Sequence, residues 1–237
     1  MRVLDEAGPL ASARLPGLFR AAPEAFLRRS AGRETFRWKL ATGESYIVKR
    51  MPGRGGCREH ENLEALRKDG LPVPRPIAWA QEGSRLLFGG PVRSLVVMED
   101  VEHEETLRDR LARAAPRERE RWSAELLEVV VRLHVLGWHH RDLYLQHFLV
   151  AGGLVLIDVG RARRDPRARR RWHVKDLAAL RHSCPANVGA REQLRFLSRY
   201  LDQRGILERT ERSAWARAIA AKAAAMARHV PRDERAD

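Results

Sequence analysis

A chain of 237 residues has room for one large domain or for two small lobes around a cleft, and a 44% hydrophobic content supplies a core and excludes a largely disordered chain. Charged residues make up 32% and the net charge is +14, most of the excess being arginine. Such a balance points to an anionic partner (nucleic acid, an acidic membrane surface or a phosphorylated substrate) or, more plainly, to an arginine-rich composition with no specific partner.

Residues 1–30 carry a weak pattern, punctuated by Pro9, Pro16 and Pro23, and read as an N-terminal extension with a short helix over Pro23 to Arg29. The start, Met1-Arg2-Val3-Leu4-Asp5-Glu6, lacks the apolar core of a signal peptide. Glu34 to Leu40 alternates as a strand, Ala41 to Glu44 is a turn, and Ser45 to Met51 is the return strand of a hairpin. Pro52 to Gly56 reads as a loop and Cys57 to Asp69 as a helix, with Leu63 and Leu66 inward and Gly70 as its stop. Neither Cys57 nor Cys184 lies in a C-x-x-C pair, which fits free thiols in a reducing compartment. After the extended Leu71 to Pro76 come short strands over Ile77 to Ala80 and Arg85 to Phe88 around a Gly83 turn. A buried strand, Ser94 to Met98, then runs into Glu99-Asp100-Val101 and a helix from Thr106 to Ala114.

Pro116 opens a long helix to about Leu136, with Leu126, Leu127, Val130, Leu133 and Val135 as its buried face and Gly137 as its stop. The apolar run Leu126 to Trp138 is broken by Glu128, Arg132 and His134, and falls short of the roughly 20 apolar residues that cross a bilayer. Phe148 to Val150 and Leu154 to Ile157 form a second hairpin around Ala151-Gly152-Gly153, which carries His147 and Asp158 toward one end. Seven arginines follow between Arg161 and Arg171, where Pro166 argues against a continuous helix. A helix opens at Trp172, in which Asp176 caps the turn or braces the loop behind it. Helices from about Asn187 to Gln203 and Ile206 to Arg228 close the chain, with a polar tail from Pro231.

The chemistry centres on Gly137 to Val150. Within it His140-Arg141-Asp142 resembles the catalytic loop of a protein kinase, H-R-D-x-x-x-x-N, with His147 in place of the asparagine. Sixteen residues after Asp142 stands a second aspartate, in Ile157-Asp158-Val159-Gly160. Phosphoryl transfer needs a proton acceptor at the substrate hydroxyl, a metal on the nucleotide phosphates and a cation beside them. Asp142 fits the first role, Asp158 the second, and Lys49, at the end of its strand, the third; alone, Lys49 reads as an ordinary solvent-facing lysine. Glu59 or, failing it, Glu61 pairs with Lys49, unless both merely serve the helix dipole. The strand into Glu99-Asp100-Val101 fits a hinge whose Glu99 and Val101 backbone groups bind adenine, and Leu149 joins the nucleotide-binding candidates. Only Gly32 survives of a G-x-G-x-x-G loop, so Arg28, Arg29 and Arg33 cover phosphates in its stead or are surface charge. Three roles stand open for His147: a direct metal ligand, contact through water, or a hydrogen bond within the loop. The remaining histidines show no zinc-ligand spacing.

Taken in order, these blocks resemble the lipopolysaccharide core heptose kinase family, whose loop has the form H-R-D-x-Y-x-x-H-F/I-L. His140-Arg141-Asp142-Leu143-Tyr144-Leu145-Gln146-His147-Phe148-Leu149 matches it, as do Tyr46-Ile47-Val48-Lys49, Glu59 eleven residues before Gly70, Met98-Glu99-Asp100-Val101, Ile157-Asp158-Val159-Gly160-Arg161-Ala162 and Arg171-Trp172-His173-Val174-Lys175-Asp176-Leu177. The resemblance spans roughly residues 30–205. It implies an α+β, protein-kinase-like bilobal fold, with residues 1–98 as extension and N-lobe and 99–237 as hinge and helical C-lobe. It implies ATP and magnesium, a glycolipid acceptor in the lipopolysaccharide core, and peripheral work at the cytoplasmic face of the inner membrane. Tyr144 and Arg161 become acceptor-binding candidates, and the arginine cluster suits an anionic glycolipid or is a solvated loop. A kinase-fold enzyme acting on protein or another small molecule, or a nucleotide-binding protein without turnover, are the alternatives. No recognition module or aromatic-interleaved basic groove supports a nucleic-acid partner.

Overall fold

The computed structural model describes residues 2–3, 15–23, 25–30, 32–83, 92–165, 167 and 170–228. The chain divides into two compact units, residues 1–102 with 158–160 and residues 103–157 with 161–237.

The first unit is an antiparallel sheet with one helix. Its strands are β1 (Arg2–Val3), β2 (Phe26–Ser30), β3 (Arg33–Lys39), β4 (Ser45–Pro52), β5 (Pro76–Glu82) and β6 (Arg93–Glu99), in the order β1-β5-β6-β4-β3-β2. The β3–β4 hairpin sits as the alternation requires: Phe36 and Val48 face each other in the ladder and are buried, while Arg37 points outward. Gly43, at φ 93°, makes the turn that an L side chain would strain. Together with Leu95, Val97 and Ile77, the buried face of this hairpin makes the core. Helix α1 (Gly55–Lys68) packs on β5 and β6.

Two expectations for this unit are corrected. Residues 26–30 are a strand, not a helix: β2 pairs with β3, Phe26 meets Phe36 edge-on at 6.2 Å and Arg29 reaches Glu34 at 3.3 Å. A segment this short gains more from a ready ladder than from one helical turn, whose nucleation is unfavourable. Gly55 and Gly56 are not loop but the first turn of α1. A Cβ on Gly56 would lie 2.6 Å from the Leu95 backbone, so only glycine there lets the helix seat this close to β6; at Gly55 the near neighbour is the flexible Met51 side chain of β4. Gly56 N donates to Ser94 Oγ there. The expected strand over Arg85 to Phe88 lies outside the described residues.

The second unit is mainly helical. It contains β7 (Glu105–Thr106), α2 (Leu107–Arg113), α3 (Pro116–Val135), β8 (Trp138–His139), β9 (Phe148–Val150), β10 (Leu154–Leu156), β11 (Arg163–Arg164), α4 (Arg170–His182), α5 (Ala190–Gln203) and α6 (Arg209–Ala227). Thr106 caps α2, accepting from Asp109 N. Leu126, Val130 and Leu133 of α3 are buried as periodicity requires, but Val135 is 61% exposed. It stands two residues from Leu133, about 200° around the helix, so it shares the pattern's composition and not its face. β9 and β10 form the expected hairpin in a three-stranded sheet with β7, and β8 pairs with β11. Among the described residues no helix is long and apolar enough to cross a membrane.

Candidate active site

In the first unit, β4 brings Lys49 to α1. The close seating of α1 turns Glu59 onto the sheet, where it is 2% exposed, and Lys49 Nζ donates to Glu59 Oε1 at 2.5 Å. The same ammonium reaches Asp158 Oδ1 at 3.1 Å. Asp158 belongs to the three-residue excursion 158–160 into this unit. Asn62, one turn along α1 from Glu59, holds that excursion by donating to Val159 O at 2.8 Å, and a Cβ on Gly160 would come 3.0 Å from Glu59 Oε2. Asp158 adopts φ 60°, a left-handed conformation that aspartate tolerates better than most residues. Burial alone would push the Lys49 ammonium toward neutrality, but the carboxylates of Glu59 and Asp158 outweigh it and hold the amine firmly charged. Burial pushes the Glu59 carboxyl up against the pull of Lys49.

In the second unit the loop after β8 is clamped from behind. Asp176, fully buried in α4, accepts from His140 N and Arg141 N, each at 2.7 Å. Lys175, its neighbour, donates to Arg141 O. Arg141 can therefore sit at φ 75°, a conformation costing about 1 kcal/mol for an ordinary residue, because its amide and carbonyl are both held. His134 of α3 backs the clamp: its Nε2 faces Asp176 Oδ2 at 3.4 Å, Nδ1 lies 2.8 Å from the Tyr200 hydroxyl, and its ring stacks on His173 at 4.2 Å. Burial, with His134 beside it, lowers His173 to about 3. The clamp presents Asp142, 19% exposed, between two cations: Arg161 Nη1 at 2.7 Å from Oδ2 and Lys175 Nζ at 3.5 Å from Oδ1. Burial lowers the Lys175 pKa, against the pull of Asp142. His147 Nδ1 lies 2.8 Å from Asp142 O; a carbonyl only accepts, so the ring donates there. Tyr144 packs edge-on to His147 at 5.7 Å, and burial raises its phenol pKa.

The model of the lipopolysaccharide kinase (Kdo/WaaP) family matches residues 30–200, about seven-tenths of the chain. The chain belongs to that family. The lipopolysaccharide core heptose(I) kinase WaaP of Pseudomonas aeruginosa is 29% identical over 233 residues, covering 79% of this chain and 84% of that protein. WaaP of Escherichia coli is 30% identical over 192 residues, covering 72% and 71%. A solved structure of WaaP in complex with acyl carrier protein superposes with a TM-score of 0.71 at 26% identity, covering 95% of this chain and 99% of that one. The fold is thus the α+β, kinase-like one, and the chain is a lipopolysaccharide kinase, a phosphotransferase that uses ATP.

Of the site residues expected for such a kinase, the structure gathers Lys49, Glu59 and Asp158 in one place and Asp142, Tyr144, His147 and Arg161 in another. Glu61 does not join them; it accepts from Cys57 Sγ instead. Glu99 ends β6 with its N–H donated to Arg75 O at 2.9 Å and its carboxylate accepting from Arg75 N at 2.9 Å. Asp100 beside it accepts from Ser45 Oγ and pairs with Arg37, which ties the segment ahead of Val101 to the β3–β4 hairpin. Leu149 is buried in β9, opposite Val155 and Thr106. Arg28, Arg29 and Arg33 lie on the β2–β3 hairpin, and Arg33 acts electrostatically on Glu59. The arginines from 161 to 171 are dispersed over a 3-10 turn, β11, a turn at Arg167 and the start of α4, with Arg169 outside the described residues. Two contributors were missed by sequence reasoning. Asn62 stands at i+3 from Glu59, a spacing that shares a helix face. Lys175 stood in the Arg171 to Leu177 block that carries the resemblance but was given no role, and nothing local shows that it bonds a loop thirty-four residues earlier.

Magnesium is the metal such a reaction calls for. It takes oxygen donors, commonly one or two carboxylates beside substrate phosphates. Asp158 supplies a carboxylate 41% exposed, and among the described residues no three His, Cys, Asp or Glu side chains gather as a protein cage. That donor set suits a metal carried largely by the nucleotide.

Proposed function

We propose that the chain transfers the γ-phosphoryl group of ATP to a hydroxyl of a heptose in the lipopolysaccharide inner core. The observation that carries the residue roles is the pair of constellations: an ammonium shared by two carboxylates at Lys49, and a carboxylate flanked by two cations at Asp142. Lys49, kept charged by Glu59, binds the nucleotide phosphates. Asp158 and the phosphates would hold magnesium, which when bound would supply neutralisation of the developing charge. Glu99 and Val101 offer backbone groups to adenine, and Leu149 an apolar contact. Asp142 accepts the proton of the acceptor hydroxyl as its oxygen attacks the γ-phosphorus and ADP leaves. For His147, the hydrogen bond from Nδ1 to the Asp142 carbonyl positions the loop and fixes the tautomer with the lone pair on Nε2, the arrangement a metal-ligating imidazole also uses. Tyr144 and Arg161, beside Asp142, bind acceptor.

The acceptor is a glycolipid, so the proposal places the chain peripherally at the cytoplasmic face of the inner membrane, a location its +14 charge favours. Because the WaaP structure noted above is a complex with acyl carrier protein, a similar partner is proposed here. An apolar pocket of about 530 Å³ in the second unit, walled by Leu126, Leu177 and Phe196 with Arg119 and Arg195 at its lining, would accept an acyl chain. The function is tested by phosphorus NMR and mass spectrometry of lipopolysaccharide from cells with and without the protein. The expected result is one phosphate per core lost on deletion; an unchanged core phosphorylation pattern would overturn the acceptor assignment.

A further inference from the structure

Beside the Asp142 loop, α4 and α6 enclose an open recess of about 660 Å³. Its floor is made by Ala218, Ala221 and Ala225, spaced so that α6 turns small side chains toward it. Its walls carry Arg170, Arg171 and Lys175 of α4 and Lys222 of α6, and no carboxylate lines it. Among the described residues, none pairs Arg170, Arg171 or Lys222 with an acid; Arg170 lies over the Trp215 ring at 5.1 Å and Arg171 over Trp172 at 4.9 Å. Aromatic faces orient cations without neutralising them. The recess is continuous with the reacting end of the unit through one side chain, since Lys175 lines it and also reaches Arg141 O and Asp142 Oδ1.

We propose that this recess is a binding subsite for an acidic substituent of the acceptor, a phosphate monoester or carboxylate already present on the sugar next to the one phosphorylated, and that Lys175 relays its register to Asp142. The inference rests on the kinase reading above and deepens it. Arg170, Arg171 and Lys222, which pair with no acid among the described residues, set specificity: an acceptor bearing the acidic group is seated with its hydroxyl toward Asp142, and one lacking it is not. Guanidinium groups favour such oxyanions through paired donors.

The test uses lipid-free core oligosaccharide, so that attraction to anionic membrane drops out, in two forms: with its acidic substituents, and stripped of them by phosphatase and carboxyl reduction. The full chain is compared with Lys222→Ala, Arg171→Ala and Arg171→Lys, with Arg108→Ala at an exposed position of α2 as a charge control. The expected result is a tenfold or greater rise in acceptor KM for the two alanine variants, with KM for ATP within twofold, partial rescue by Arg171→Lys, and no rise when the stripped acceptor is used. Inorganic phosphate should compete with the acidic acceptor in the full chain and lose that competition in Lys222→Ala. Equal KM values for both acceptor forms, or a loss matched by Arg108→Ala, would overturn the subsite. Direct calorimetric titration separates the two levels. Oligosaccharide binding that depends on Lys222 without phosphate transfer upholds the subsite and defeats the acceptor assignment. Transfer and binding both indifferent to Lys222 and Arg171 defeat the subsite and leave the kinase reading standing.

Discussion

The surroundings of Lys49 and those of Asp142 are built from the same charged groups in opposite proportion. At Lys49 one ammonium serves two carboxylates, one of them almost fully buried, so the cluster holds a surplus of negative charge that a divalent cation can satisfy. At Asp142 one carboxylate serves two cations, so the cluster holds a surplus of positive charge suited to an anionic acceptor. Their rigidity has different sources as well. The first is fixed by side chains on a sheet and a close-packed helix. The second is fixed by a buried carboxylate, Asp176, that holds the backbone of the loop itself. On the roles proposed above, nucleotide chemistry is set by packing and acceptor chemistry by a polar clamp, and the two should fail in different ways.

The largest effect is expected at Lys49. Lys49→Met leaves buried Glu59 facing Asp158 without a cation, a change that costs roughly 3 kcal/mol in comparable buried pairs. A thermal melt should show it, and Lys49→Met/Glu59→Gln should recover part of the loss; a melt unchanged in Lys49→Met would break the account of the cluster as an interdependent network. Asp176→Ala comes next, leaving the buried His140 amide unpaired at about 1–3 kcal/mol and the part-buried Arg141 amide at less. Here kcat is expected to fall while KM for ATP stays put, because the clamp serves the loop and not the nucleotide. Gly56→Ala should cost about 1–3 kcal/mol by overpacking against the Leu95 backbone. It should also raise KM for ATP by displacing Glu59, the reverse of the Asp176 signature.

The smallest effect concerns pH. His173 titrates near 6.5 when unfolded and is lowered to about 3 when folded, chiefly by burial. Between those values the unfolded chain binds more protons, so stability is full above pH 6.5 and declines as pH falls toward 3. Asp176 adds to the decline at lower pH: burial works to raise its pKa, but His134 and the loop amides outweigh that and lower it. One titrating histidine changes stability by at most about 1.4 kcal/mol per pH unit. Denaturant melts between pH 7 and 5 should show a slope rising toward that limit as pH falls, and His173→Gln should reduce it, with His139, also lowered by burial, supplying the rest.

How far the site was legible follows from where its signals lie. The β3–β4 hairpin, α1, β6 and the β9–β10 hairpin announce themselves because burial on one face writes a period of two or 3.6 into the sequence. Lys49, Glu59, Asp142 and Asp158 were picked out by their order along those elements, and the structure brings the first two together with Asp158. β2 was misread because it is an edge strand whose Phe26, Leu27, Arg28 and Arg29 are all exposed, so no alternation marks it. The helical start at Gly55-Gly56 looked like a loop, since glycine chosen for close approach to β6 has the same letter as glycine chosen for a turn. The role of Lys175 and the α4–α6 recess could not be read, although Lys175 stood in a family-like block, because they depend on which face of α4 meets a loop thirty-four residues away and on alanines that matter by what they leave open.

The most direct measurement sets Asp142→Asn beside Asp158→Asn and reads both transfer rate and magnesium-dependent ATP affinity. The account predicts that Asp142→Asn lowers kcat about a thousandfold, within the range for losing a general base, while binding ATP with magnesium as the full chain does. Asp158→Asn, by contrast, should lose the magnesium dependence of ATP binding itself. Undiminished transfer by Asp142→Asn, or magnesium-dependent ATP binding unaltered in Asp158→Asn, would contradict the division of roles between the two clusters.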